Sequence, residues 1–207
     1  APVFGNVPPF GQRPGSATIG ATMTHAHRSA TPISTHDTTR IDDTRIKAVR
    51  RKLTQDLGFL IPPVHIRDNL EIQPNTYVIS LKGVEIGRGE AYPNQWMAIN
   101  PGQVFGTLNG IAAKDPAFGL EAVWIDPGQR DQAQSLGYTV VDASTVVATH
   151  LNQVLHKHAH ELLGHEEVQQ LLQLLAKSSP KLAEELVPGM VSLSTLLKVL
   201  QTLLAEQ

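Results

Sequence analysis

The order of elements predicts an α+β fold. Between about 56 and 141, short apolar runs are cut by Pro62-Pro63, Pro74-Asn75, Gly83, Pro93-Asn94 and Pro101-Gly102, the punctuation of short strands joined by tight turns. From 142 onward the apolar residues recur at helical spacing. Strands followed by helices build separate layers or subdomains, unlike the alternating α/β pattern.

Composition bounds the rest. The chain has 207 residues, 41% of them hydrophobic, enough for one large domain or two small ones with a real core. Seventeen basic and nineteen acidic side chains leave a net charge of -2, so no long-range field draws nucleic acid or an anionic membrane. The absence of cysteine excludes disulfides, thiolate catalysis and Cys-bearing zinc sites, and fits a reducing compartment. No run reaches the ~18–20 uninterrupted apolar residues of a membrane span, and the start lacks the basic-then-apolar pattern of a secretory signal. The piece reads as soluble.

Residues 1–40 are rich in Pro, Gly, Ser and Thr, with Phe4, Phe10 and Met23 isolated and following no period. Such a segment buries too little apolar surface to offset its ordering entropy, so it is expected to be a disordered linker or tail. His25, His27 and His36 are read as solvated. At Ile41 the texture changes. Ile46, Val49, Leu53 and Leu57 share one helical face, with Asp42 and Asp43 at the positive end of the helix dipole and Gly58 as the stop. The basic residues Arg45, Lys47, Arg50, Arg51 and Lys52 read as its solvated side.

Strands follow. The runs 64–67, 76–81 and 84–89 alternate or are rich in β-formers, and Lys82-Gly83 turns the last two into a hairpin. Residues 96–99 make a further strand. The glycine-rich stretch 102–118 is expected to run irregularly over the surface. Residues 120–125, a short helix at about 129–136 and a strand at 138–141 complete a β–α–β pattern.

Asp142 or Ser144 caps the next helix, whose stripe is Val147, Leu151, Leu155, His158 and Leu162 until Gly164 breaks it. His158 is read as a satisfied core histidine. A second helix covers 166–177. Pro180 opens a short one at its first position, and Ser192 caps a last one bearing Leu193, Leu196, Leu197, Leu200, Leu203 and Leu204. Its apolar face ends without a partner, which reads as a cut within a larger protein.

Enzymatic signals are weak. His160-Glu161 with His165 resembles the zinc-protease H-E-x-x-H, but histidines five apart are rotated about 140° net around a helix and cannot ligate one ion from one face. His156 and His160, four apart, could chelate a metal with a third ligand from elsewhere. That leaves a metal-dependent hydrolase built on the cluster at 150–165 as the competing reading. No carboxylate pair has a fixed separation, Gly87-Arg-Gly89 lacks the other glycines of a phosphate loop, and no G-x-S-x-G elbow occurs. No resident metal, cofactor or catalytic residue is called for. Ile99, Pro101, Phe105 and Phe118 lie near irregular backbone, where exposed apolar groups with a polar rim suit protein docking.

The ordered motifs D-L-G-F-L-I-P-P-V-H-I-R-D-N-L, L-K-G-V-E-I-G, A-I-N-P-G, D-P-A-F-G-L-E-A-V-W-I, D-A-S-T-V-V-A-T-H-L, L-V-P-G and S-T-L-L-K-V-L-Q-T-L-L-A-E resemble one family. It is the FlhA/LcrD/InvA family of type III export gates, over about 46–206, and the D-A-S-T-V-V-A-T-H-L string favours its flagellar branch. The resemblance implies a first subdomain at 41–93 and 143–163 and an inserted RRM-like subdomain at 94–142. Residues 164–207 would be the truncated start of a helical third subdomain. It further implies a nonameric ring below the membrane domain of a bacterial inner-membrane protein, and a cytosolic platform for export chaperones with bound substrates and other export-apparatus proteins. Carried over by motif, the docking contacts are Asp115 as a polar or charge contact, Phe118 as apolar anchor and Thr149 as part of the wall, with Ile99 and Pro101 in the same pocket. The RRM-like piece carries no RNA-binding signature, so no nucleic-acid partner is expected. Residues 1–45 lack the family's β-rich opening stretch. The first subdomain is therefore expected to lack a strand or to begin with foreign sequence.

Overall fold

A computed structural model of the chain describes residues 21–25, 43–69 and 71–206. Two four-stranded sheets are joined through one long helix. The first sheet has the order β2-β1-β3-β4, from β1 (Ala21–His25), β2 (Val64–Asp68), β3 (Thr76–Leu81) and β4 (Val84–Glu90). The β1–β2 pair is parallel and the others antiparallel, so this sheet is mixed.

The expectation that 1–40 holds no regular element fails at β1. A-T-M-T-H offers too little to be seen by pattern, but its backbone bonds on both sides, with Met23 opposite Ile66 and Ile79. A ready edge on each neighbour supplies what local propensity does not. The first subdomain thus has a strand ahead of its first helix. The remainder of 1–40, with the calls on His27 and His36, lies outside the described residues, as does the side chain of His25.

Helix α1 (Asp43–Leu57) lays Ile46 and Leu53 into the core and stops at Gly58, whose φ of +79° is the left-handed stop that glycine tolerates. The β3–β4 hairpin turns on Lys82 and Gly83, both at positive φ, the geometry that matches strand twist in a two-residue loop.

The second sheet has the order β6-β7-β5-β8, from β5 (Trp96–Ile99), β6 (Ile111–Lys114), β7 (Glu121–Ile125) and β8 (Thr139–Asp142). All its neighbours are antiparallel. Counted within the subdomain the order is second, third, first, fourth, the RRM-like arrangement of a split β–α–β. Only the crossover from β7 to β8 is helical, a 3₁₀ turn leading into α2 (Arg130–Ser135); residues 100–110 form a loop. The stretch 102–118, expected to be irregular throughout, contains β6. I-A-A-K is mostly exposed at the sheet edge and lacks a buried face, so it leaves no periodic signal.

Helix α3 (Ala143–Lys157) touches both sheets. Asp142 caps it, accepting the Thr145 amide at 2.6 Å. Val147, Leu151, Val154 and Leu155 enter the core under the first sheet with Tyr77, Ile79 and Leu81, while Val146 packs with Met97, Ala122 and Trp124 of the second. Short α4 (Ala159–Leu162) then leads to α5 (His165–Ser178), α6 (Pro180–Glu184) and α7 (Leu193–Ala205). Val168 and Leu197 join the first sheet's core, so one apolar cluster runs from that sheet into the helical region.

Candidate docking site at the subdomain junction

The junction begins with α3. Its N-cap carboxylate also takes Arg45 of α1 at 2.9 Å, and Arg45 bonds the Thr145 hydroxyl as well. Burial would raise the Asp142 pKa, but the Thr145 amide and hydroxyl, the Ser144 hydroxyl and the Arg45 charge outweigh it and hold it below the ordinary carboxylate value. Arg50 donates to the Ile61 carbonyl at 2.8 Å. Two of the five basic residues first read as a solvated face therefore tie α1 to its surroundings.

Ile99 sits partly buried in the cluster built from Met97, Ala122, Trp124 and the α3 residue Val146. Thr149, half-buried, follows Val146 by three residues and so lies on the same side of α3. Pro101 is exposed just beyond β5. On the other flank, the β6–β7 connection is the D-P-A-F turn. The Asp115 amide donates to the Leu120 carbonyl, the Gly119 amide to the Asp115 carbonyl, and the Phe118 amide to the Asp115 carboxylate, each at 2.8 Å. Asp115 is 3% exposed and Phe118 is 62% exposed. The polar side chain is turned inward to build the turn, and the apolar one is held out in water.

The Asp115 carboxylate accepts the Phe118 amide within its own turn. The Asp115 charge acts on His150, the residue after Thr149, and on Tyr77 of β3. His150 and Tyr77 are buried, their ring planes 69° apart, with the Tyr77 hydroxyl 2.8 Å from His150 Nδ1. Burial, and secondarily the Asp115 charge, pushes the Tyr77 pKa well up. Burial lowers that of His150, with Asp115 opposing. A neutral His150 accepts the Tyr77 O–H at Nδ1.

The histidine in the core is thus His150, whereas His158 is not. Helix α3 ends at Lys157, and His158, half-buried, pairs with Glu161 at 2.8 Å. His150 stands four residues after Val146 and four before Val154, both buried, and that spacing was the available signal. The break at His158 also places His156 and His160 on two different helices. Among the described residues no three or more His, Asp or Glu side chains are grouped to hold a metal ion, so the hydrolase alternative has no support. Sequence reading also passed over Leu120, 42% exposed beside the turn.

The FHIPEP family model matches residues 24–207. The chain belongs to the FHIPEP family. It is 60% identical over 163 residues to the flagellar biosynthesis protein FlhA of Escherichia coli (strain K12), and 43% identical over the same length to that of Bacillus subtilis (strain 168). The matched segment is 79% of this chain and 24% of each relative, so the chain spans about a quarter of the proteins it matches. Among solved structures it is similar to that of the Chlamydia pneumoniae CdsV and CdsO protein complex, with a TM-score of 0.70 and 23% identity over 92% of this chain and 56% of that one. It is also similar to nonameric EPEC SctV-C, with a TM-score of 0.60 and 16% identity over 95% of this chain and 56% of that one. At such identities the likeness carries the fold, and it carries the α+β architecture described above. Among the described residues no single helix is long and apolar enough to cross a membrane.

Proposed function

We infer that this chain is a docking platform of the bacterial flagellar type III export apparatus, binding export chaperones with their bound substrates at the junction between the two sheets. The reading makes it part of an export gate protein rather than an enzyme. Phe118 is the apolar anchor, Ile99 and Pro101 line the same site, Thr149 contributes the α3 wall, and Asp115 positions the turn. The observation that carries the reading is Phe118, 62% exposed yet held by a buried carboxylate. An apolar ring kept in water by a rigid polar turn costs solvation and brings nothing to its own core. It favours a partner that covers it.

Family membership and the flagellar names of the relatives favour the export role. The same reading places the whole protein in the inner membrane with this region on the cytoplasmic side. It extends to ring assembly, by analogy with the nonameric form of one structural neighbour. Calorimetric titration of the chain with a flagellar chaperone–substrate complex tests the site. Phe118→Ala is expected to weaken binding at least about tenfold, the scale of a truncated interface anchor. Unchanged affinity removes Phe118 from the site and the docking reading with it.

A further inference from the structure

The second sheet has an open edge at β6. Among the described residues no strand pairs with the outer side of β6. The Asp115 amide donates to the Leu120 carbonyl and the Asn100 amide to the Glu121 carbonyl, each at 2.8 Å. Bonded and non-bonded pairs alternate along an antiparallel ladder. Glu121 therefore turns its backbone towards β5, while Ala122 and Trp124 turn theirs towards Ala113 and Ile111 of β6. Ala112 and Lys114 then direct their N–H and C=O groups away from the sheet, and both residues are exposed. The edge is fixed at each end. A Cβ on Gly110 would collide with the Trp124 carbonyl, so only glycine lets the strand start this close to β7. At the other end Asp115 carries the pairing into the D-P-A-F turn.

Sheet edges are ordinarily blunted by charges, bulges or proline. In the first sheet, edge strand β4 has a register shift against Ile79 and Ser80 and carries the Arg88–Glu85 pair, and edge strand β2 carries Arg67 and Asp68. Strand β6 keeps an unbroken register and reads I-A-A-K, with small side chains at its centre and one charge, at its last position. Its four residues are too few to hold a dimer of this chain, which needs about 1,200 Å² of buried surface. They suit the extension of a contact made beside them, and Phe118 lies four residues past Lys114. We propose that β6 takes an extended peptide segment of the docked partner as an added strand, bonded through its main chain to Ala112 and Lys114. Ile111, 42% exposed, shares a face with Ala113, Ala122 and Trp124. The added segment therefore sets every second side chain on the face of Ile111, which favours an apolar residue there, and it carries no proline where it donates. The proposal deepens the docking reading and rests on it for the identity of the partner.

The test uses the full 207-residue chain, a flagellar chaperone–substrate complex as probe, and residue-resolved amide hydrogen exchange. On binding, the Ala112 and Lys114 amides are expected to slow at least about tenfold, while Ile111 and Ala113, already bonded to β7, change little. Ala112→Pro removes one outward donor and no bond to β7. Its docking is expected to weaken about fivefold to tenfold in calorimetry, with the β5–β7 ladder as protected as in the wild type. Ala112→Val keeps the donor and is expected to bind as the wild type does. A bound complex that leaves Ala112 and Lys114 exchanging at their free rates overturns the proposal, and the docking reading then stands on Phe118→Ala alone. Wild-type affinity of Ala112→Pro overturns it too. If Phe118→Ala binds normally while Ala112 and Lys114 are still protected, the Phe118 site fails and the β6 edge stands. Protection that grows with protein concentration in the absence of the complex marks a second copy on the edge and also overturns the proposal. A complex that does not bind at all removes both readings.

Discussion

Asp115 and Asp142 perform the same local act to different ends. Each carboxylate accepts the amide three residues ahead, at Phe118 and at Thr145. Asp142 keeps a third of its side chain in water, gathers Ser144 and Arg45, and launches the fifteen-residue helix that serves as the wall of the junction. Asp115 is buried, and what it launches is a four-residue turn whose last side chain points into solvent. The first arrangement is explained by the helix it starts. The second stabilises no element of comparable size, and its product is an exposed aromatic ring. Identical capping chemistry thus separates a scaffold role from a presenting role.

That contrast predicts unequal mutants. Asp115→Ala leaves the Phe118 amide without its acceptor in a partly buried turn, at a cost of about 3 kcal/mol, and docking is expected to fall more than tenfold in calorimetry. Asp115→Asn keeps an acceptor, and its docking is expected to stay within about threefold of wild type if the role is positional. A loss as large as that of alanine would show that the charge itself meets the partner. Gly89→Ala drives a methyl into the Tyr77 hydroxyl, and chemical denaturation should register about 2 kcal/mol of overpacking. Asp142→Ala removes a helix cap worth about 1 kcal/mol. Its docking loss is expected to be much smaller than that of Asp115→Ala.

A smaller effect is carried by pH. Burial holds the His150 pKa below its ordinary value of 6.5, against the pull of Asp115. The unfolded chain therefore takes up this proton at a higher pH than the folded one. The corresponding stability is fully present above pH 6.5 and is lost as pH falls through the folded value. His150→Asn is expected to flatten that part of the melting-temperature profile between neutral and mildly acidic pH. The smallest effect is expected at Arg88→Ala, which breaks the surface Arg88–Glu85 pair and should leave both stability and docking unchanged.

The same two aspartates show where sequence reading succeeds. Asp142 was legible because a cap followed by Val147, Leu151 and Leu155 is a local pattern with a known period. The hairpin at Lys82-Gly83 and the α1 face were legible for the same reason. Strand β1 was not, because its stability comes from partners forty and more residues away in the sequence. Strand β6 was not, because an exposed edge strand has no buried face to print a period. At the proposed site, Phe118, Ile99 and Pro101 were candidates from apolar residues near irregular backbone, and Thr149 came from a family motif alone. The Tyr77–His150 pair was invisible in both readings, since seventy-three residues separate its members. That the Asp115 carboxylate faces its own turn needed the fold to show.

The most direct test of the central claim is an amide chemical-shift map of the chain during titration with a flagellar chaperone–substrate complex. The account predicts that perturbations gather at residues 99–101, 115–120 and 146–149, and that Phe118→Ala abolishes them together. Perturbations confined to 156–165 or to the exposed faces of α5 and α7, with the D-P-A-F turn silent, would contradict it.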